Sequence, residues 1–370
     1  MKTGIRVLAL YMLVLATACG SSSGTGNGSP SGTSGSASGS VGSGSGMSSS
    51  TGTSGAAANS GTTSGTSSTG LSSGSASGAS TGSGAASGSV PDGGACSSDW
   101  CPVLPSPAPA VVALNAVWGS SATDVWVVGD AGFVAHSNGT TWTPSTQGAA
   151  PLNSIWGSSA TDAWIVGDGG AIFHYNGTSW SPSTSNTVMN LSVVYGTSPS
   201  DVWISGDAGT VLHWTGASWA AVPTSITSDL AGIWASGPMD AWVVSDLGLI
   251  SRWNGTTWTA SSSGTMQNLS AIWGSGASDI WVTGDAGTLL HWGGSAWSTV
   301  NVNEANTING VWGSGPGDVW LAVDFGVLYH YSGGTWAKSP SGTTSNLSGV
   351  WGSGSSLFAV GDGGLLLAHR

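Results

Sequence analysis

A large aromatic residue returns along this chain with a period of 39 residues. Trp118, Trp156, Tyr195, Trp234, Trp273, Trp312 and Trp351 are separated by 38 residues once and by 39 thereafter. Each opens a similar unit, for example Leu269-Ser270-Ala271-Ile272-Trp273-Gly274, then Asp279-Ile280-Trp281-Val282, then Gly284-Asp285-Ala286-Gly287, then Leu289-Leu290-His291-Trp292 and, after a Gly turn, Trp297. Within a unit, four short apolar runs rich in β-branched and aromatic residues are separated by turn residues, and no helical periodicity competes. Asn138-Gly139, Asn176-Gly177 and Asn254-Gly255 stand between the third and fourth runs, and Asn-Gly between β-prone runs is a strong hairpin signal. Four strands in a unit of roughly 40 residues make a β-propeller blade. A solenoid is the competing architecture, but it requires capping repeats and does not account for the chain ends.

The seventh unit stops at Leu365-Leu366-Leu367-Ala368-His369-Arg370, before its fourth strand. The missing strand stands at the other end of the repeat region, as Ser98-Asp99-Trp100-Cys101-Pro102-Val103. The expectation is therefore an all-β, seven-bladed propeller over residues 96–370, its last blade completed by an N-terminal strand. Closure removes the exposed edges of an open array. All 22 Trp residues fall on repeat positions, which assigns them to packing between blades rather than to a ligand cage.

Ahead of the repeats the chain changes character. Lys2 and Arg6 precede an apolar stretch from Val7 to Ala18, too short to span a membrane and arranged like a signal peptide over residues 1–18. Residues 20–95 are almost entirely Gly, Ser, Thr and Ala, a composition that gives a disordered linker able to bury no core. About 75 such residues would span roughly 45–50 Å as a flexible coil. With Cys19 behind the leader, only Cys96 and Cys101 remain, and an exported chain is expected to join them in a disulfide. Beyond the leader, Arg252, Lys338 and Arg370 are the only Lys or Arg residues, against 17 acids. That inventory excludes a nucleic-acid surface and disfavours anionic lipid, leaving a lipid anchor as the only membrane attachment expected of a monomer.

The recurring polar residues divide into three sets. His136, His174, His213, His291, His330 and His369 share one repeat position, which Arg252 takes in the fourth unit. Copies related by blade symmetry stand too far apart to share a metal at about 2 Å, so each is expected to hydrogen-bond within its own blade. Asp124, Asp162, Asp201, Asp240, Asp279 and Asp318 precede the second strand, where a carboxylate caps an Asx-type turn. Asp130, Asp168, Asp207, Asp246, Asp285, Asp324 and Asp362 stand in the following turns, mostly Gly-Asp-x-Gly. These seven are the candidate ligand-binding residues. On the face that carries the blade-connecting loops they would form a negative rim suited to a cation, calcium being the cofactor in question, or to a polyhydroxyl ligand. Glu304, the single Glu of the chain, lies on one of those loops and reads as a solvated carboxylate.

Leu15-Ala16-Thr17-Ala18-Cys19 resembles a bacterial lipobox, which implies lipidation at Cys19 and a place in the cell envelope, on the outer membrane or the cell surface. Trp253-Asn254-Gly255-Thr256-Thr257-Trp258 resembles the BNR or Asp-box turn of sialidases and of non-catalytic propellers such as photosystem II assembly factors. The order Val-Trp, Gly-Asp-x-Gly, His-Trp, Gly-x-x-Trp is similar to tectonin repeats, found in carbohydrate-binding lectins. Sialidase chemistry would require an arginine cluster, and only Arg252 and Arg370 follow the leader. A glycoside hydrolase would need a carboxylate pair, yet nearly every Asp here is a repeat copy. The favoured expectation is a tethered, non-catalytic propeller binding a protein partner. A tectonin-like lectin binding glycan is the alternative, with a hydrolase behind both.

Overall fold

The computed structural model describes residues 99–369. The leader, Cys19, the Gly/Ser segment, Cys96 and Arg370 lie outside the described residues. The described chain forms seven four-stranded antiparallel sheets, six of them built in strict sequence order. The first blade runs Leu114–Ser121, Asp124–Gly129, Phe133–Ser137, Trp142–Thr146, and the others repeat the pattern. The seventh consists of Leu347–Ser353, Ser356–Gly361 and Leu365–His369, with Trp100–Pro102 as its outer strand. Trp100 pairs with His369, Cys101 with Ala368 and Pro102 with Leu367. The seven-bladed propeller closed by an N-terminal strand is thus present.

Two tryptophan positions hold neighbouring blades together. The second-strand Trp of six blades meets the fourth-strand Trp of the next edge to face, as in Trp126 with Trp180 at 5.3 Å and Trp164 with Trp219 at 5.1 Å, and in the seventh blade Phe358 meets Trp142 in the same way at 6.5 Å. Such pairs contribute about 0.5–1.5 kcal/mol beyond their buried area. Trp100 takes the same place for the sixth blade, 5.6 Å from Trp320 at 76°, and donates its indole N–H to Ser339 Oγ at 3.0 Å. The first-strand aromatic instead lies over the glycine of the next blade's Trp-Gly pair. A methyl built on Gly157 would stand 2.4 Å from the Trp118 ring, and one on Gly313 2.5 Å from Trp273. Six junctions share this indole-on-glycine contact. At the junction of the third and fourth blades the smaller ring of Tyr195 faces Ala235, which is fully buried.

First strands from all seven blades line the central channel, whose cavity measures ≈ 260 Å³. That is below the range of about 300–1,000 Å³ typical of small-molecule pockets. Its amides are already committed: Asn115 Nδ2 donates to the Leu152 carbonyl and Asn309 Nδ2 to that of Leu347, both at 2.9 Å. The channel therefore offers little to a ligand, and the two ends of the propeller carry the chemistry.

Candidate functional site

One end of the propeller is formed by the turns between first and second strands. Here Asp124 accepts from Ser120 Oγ through one oxygen and from His136 Nε2 through the other. The same pairing joins His174 to Asp162, His213 to Asp201, His291 to Asp279 and His330 to Asp318, all at 2.6 Å. Since a carboxylate only accepts, Nε2 carries the proton in each. The imidazole also lies flat on the second-strand indole, with centroids 3.9 Å apart for His136 on Trp126 and 3.8 Å for His213 on Trp203. In the fourth blade Arg252 Nε donates to Asp240 at 2.6 Å and its guanidinium covers Trp242. The expected hydrogen bond within each blade is thus found for the histidines of five blades. His369 differs, because Ser356 stands where the others have Asp, and it packs against Trp100.

The structure corrects the Asx-turn expectation for Asp124 and its counterparts. Their carboxylates engage Ser or Thr hydroxyls and the third-strand His or Arg, not turn amides. The order Ser, Asp, His also decides the chemistry. The Ser-His-Asp arrangement of nucleophilic catalysis places the imidazole between hydroxyl and carboxylate, whereas here the carboxylate is in the middle and the imidazole does not touch the hydroxyl. The set acts as a brace between the second and third strands.

Asp201 is the most buried of these carboxylates. Burial pushes its pKa up, but hydrogen bonds from His213, Thr197 and Trp203, with the His213 charge, outweigh it and leave the value below the ordinary 3.8. A depressed folded-state pKa adds stability that is present above the unfolded value and lost as pH falls through the folded one. The urea midpoint of Asp201→Asn should therefore fall less between about pH 5 and pH 2 than that of the unaltered chain, tested by urea melts across that range. Parallel pH profiles would refute this account of Asp201.

The opposite end carries the turns between second and third strands and the segments that connect blades. All seven candidate carboxylates, Asp130, Asp168, Asp207, Asp246, Asp285, Asp324 and Asp362, open these turns. Each turn closes on a left-handed glycine such as Gly170, whose φ is +77° and whose missing side chain leaves room for the Thr187 carbonyl at 2.1 Å from a built Cβ. Amides on the connecting side stitch the rim. Asn190 Oδ1 accepts from the Gly169 amide while its Nδ2 donates to Asp207. Asn268 joins Leu247 to Asp285, and Asn346 joins Phe325 to Asp362, in the same way. Asn153 and Asn309 donate to Asp168 and Asp324 from the first strand. Asp229, a residue the repeat pattern does not mark, takes the connector position between the third and fourth blades and accepts from the Ala208 amide.

The structure thus confirms that the Asp turns share a face with the connecting loops, and distributes them one to a blade. Among the described residues no three His, Cys, Asp or Glu side chains converge as metal ligands, so the calcium expectation finds no ligand cluster here. Glu304 is not simply solvated. It accepts from the Ala305 and Asn306 amides and from Tyr329 Oη at 3.1 Å, and burial together with the Glu304 charge pushes the Tyr329 pKa up to about 12.

The same face carries a feature that the repeat pattern conceals. Among the described residues eight large apolar side chains are exposed: Leu104, Val111, Val188, Met189, Met239, Leu247, Met266 and Phe325. All but Met239 lie on the Asp turns or on the segments beside them. A groove of ≈ 720 Å³ runs between the second blade's turn and the connector ending at Val188. Leu247 and Phe325 sit at the variable position of the Gly-Asp-x-Gly turn, where the other blades place Ala131, Gly169, Ala208, Ala286 and Gly363. The sequence signal was available as two bulky apolar residues at a position otherwise small.

No protein-family model matches the chain, and no curated protein matches it. Among solved structures, YCF48 from Cyanidioschyzon merolae is similar with a TM-score of 0.60 and 21% identity, covering 73% of this chain and 98% of that one. A structure of YCF48 bound to D1 peptide gives 0.61 and 18%, over 77% and 98%. The WD40 β-propeller domain of Doa1 gives 0.62 and 12%, over 70% and 93%. At these identities the likeness is one of fold.

Proposed function

We propose that this chain is a non-catalytic envelope lipoprotein whose propeller binds a protein partner through the loop face. The observation that carries the reading is the gathering of seven of the eight exposed large apolar side chains on that one face. Exposed apolar surface grouped in this way marks contact with another macromolecule. A similar propeller in complex with a peptide, YCF48 with D1 peptide, accords with it. In this reading residues 1–18 are the signal peptide, Cys19 carries the lipid, and residues 19–95 tether the domain of residues 96–370 to the outer membrane or cell surface. A Cys96–Cys101 disulfide would pin the strand that closes the ring.

One observation favours the lectin reading. Phe325 is an exposed aromatic beside Asp324 and Asn346, a pairing suited to stacking on a sugar. The polar groups beside it are engaged within the protein, however, since Asp324 accepts from Asn309 and Asn346 bridges two turns. Leu247, Met266 and Val188 provide no ring to stack.

The test is site-specific photocrosslinking of the full chain in its native envelope, with the reactive group placed at Val188 or Phe325 on the loop face and at Met239 on the other. A discrete protein adduct from the first two positions and none from Met239 is expected. Adducts from Met239 alone, or none from any position beside saturable binding on a glycan array, would overturn the reading, the latter in favour of the lectin.

A further inference from the structure

Leu247 and Phe325 adopt φ of 56° and 57°, the left-handed region, which is unfavourable for an L-residue. They are 66% and 61% exposed, so burial within the propeller does not offset that cost. Five sister turns are built with Ala or Gly at the same position, which shows that the turn itself has no use for a large side chain. Ala131, Ala208 and Ala286 hold the same left-handed φ, so what sets Leu247 and Phe325 apart is the large exposed side chain itself.

Their surroundings define what could meet them. The Leu247 amide donates to Asn268 Oδ1, and the adjoining Gly248 lies against the Thr265 carbonyl, which sets Leu247 beside the connector bearing exposed Met266. Phe325 stands two blades further round, and the intervening fifth blade presents only Ala286 at its turn. Two apolar projections thus flank a low saddle. Asp285 and Glu304 belong to the saddle, with Asp246 and Asp324 at its two sides. The partners of Asp285 are the Asn268 amide and the Thr307 hydroxyl, and that of Asp324 is the Asn309 amide. Donors of this kind are neutral and bring no positive charge to the carboxylates they bind. Among the described residues Arg252 is committed to Asp240 at the other end of the propeller, and Lys338 is the cation that acts on Glu304.

We infer that the surface over the fourth, fifth and sixth blades binds a peptide segment bearing both apolar and basic side chains, the apolar ones on Leu247, Met266 and Phe325 and the basic ones on the saddle. The inference rests on the loop-face reading and adds the chemical class of the partner. A second copy of this chain would bring acid against acid, and an anionic bilayer would be repelled in the same way. Complementary charge selects the partner and speeds its encounter, while the apolar contacts hold it.

The test uses the full chain and three fluorescein-labelled synthetic peptides of equal length, with alternating Lys/Leu, Glu/Leu and Lys/Ser, followed by fluorescence anisotropy at low and high salt. Lys/Leu should bind, Lys/Ser should bind at least about tenfold more weakly, and Glu/Leu should not bind. The double variant L247A/F325A, which restores the alanine of sister turns and should melt normally, should weaken Lys/Leu by about tenfold or more. Unchanged Lys/Leu binding by the variant, or no Lys/Leu binding by the unaltered chain, overturns the inference. Equal binding of Glu/Leu and Lys/Leu, lost together in L247A/F325A, overturns the charge preference alone and leaves the loop-face reading standing. The loop-face reading itself fails on the crosslinks, if they come from Met239 alone or are absent while a glycan array binds.

Discussion

Replacing Trp100 by alanine should cost the propeller about 3–5 kcal/mol, the range for removing a fully buried tryptophan. Trp100 is 1% exposed, packs edge-on to Trp320 and His369, and donates its N–H to Ser339. It also belongs to a strand of only three residues, Trp100–Pro102, so its ring supplies most of the apolar area that holds this strand on the sheet. Once the strand leaves, the backbone of Leu365–His369 becomes an open edge, which favours pairing with other chains. The expected result is a large fall in urea midpoint together with concentration-dependent aggregation. Trp258→Ala, at the equivalent fourth-strand position of an internal blade, provides the comparison. It should lose packing energy but remain monomeric, because its strand stays covalently joined to the third strand of its own blade and to the first strand of the next. If both variants lose stability alike and stay monomeric, the terminal strand is packing only and does not close the ring.

The second large effect concerns the junction between the third and fourth blades. Tyr195→Trp should destabilise by about 1–3 kcal/mol, the usual cost of overpacking a filled core, although every other blade carries Trp or its equivalent contact at that position. The reason is Ala235. At the other six junctions the next blade supplies glycine, where even a Cβ would intrude to between 2.4 and 3.1 Å of the indole. Tyr195 with Ala235 replaces the pair Trp with Gly, one group gaining the volume that the other gives up. Tyr195→Trp combined with Ala235→Gly should therefore recover most of the loss, with an interaction energy of about 0.5–3 kcal/mol in a double-mutant cycle. Additive effects in thermal or urea melts would show that the two residues do not share one space.

These two positions also show what could be read before any coordinates. The ring, its blade count and its closure follow from a repeat whose first six copies bear four β-prone runs and whose seventh bears three, because a period that long leaves the blade as the unit able to use it. Trp100 was legible for the same reason, as the repeat element displaced from one end to the other. The brace between Asp124 and His136 was not, since it spans 12 residues of sequence and depends on the register of two paired strands. A carboxylate ahead of a strand looks like a turn former until that register is known. The candidate carboxylates were placed on the correct face, but their coupling to Asn190, Asn268 and Asn346 depends on how one blade meets the next. Leu247 and Phe325 stayed hidden because a repeat pattern marks what recurs, whereas these two residues depart from it. A repeat explains the scaffold, and the residues that break it are the ones a recurring pattern cannot mark.

The strand that closes the ring has a further, mechanical consequence. Any tension that reaches the propeller along the chain preceding Asp99 enters at Trp100–Pro102, before it reaches any blade. There it meets three paired residues, the Val103 amide on the Leu366 carbonyl and the Ser106 hydroxyl on the Gly364 carbonyl. These contacts are the clasp of the whole circle, and the load falls on them first. A pull strong enough to part the clasp would free the sixth and seventh blades at their shared outer edge while the other junctions stayed closed. The propeller would then yield from one point, at a force set by a few residues.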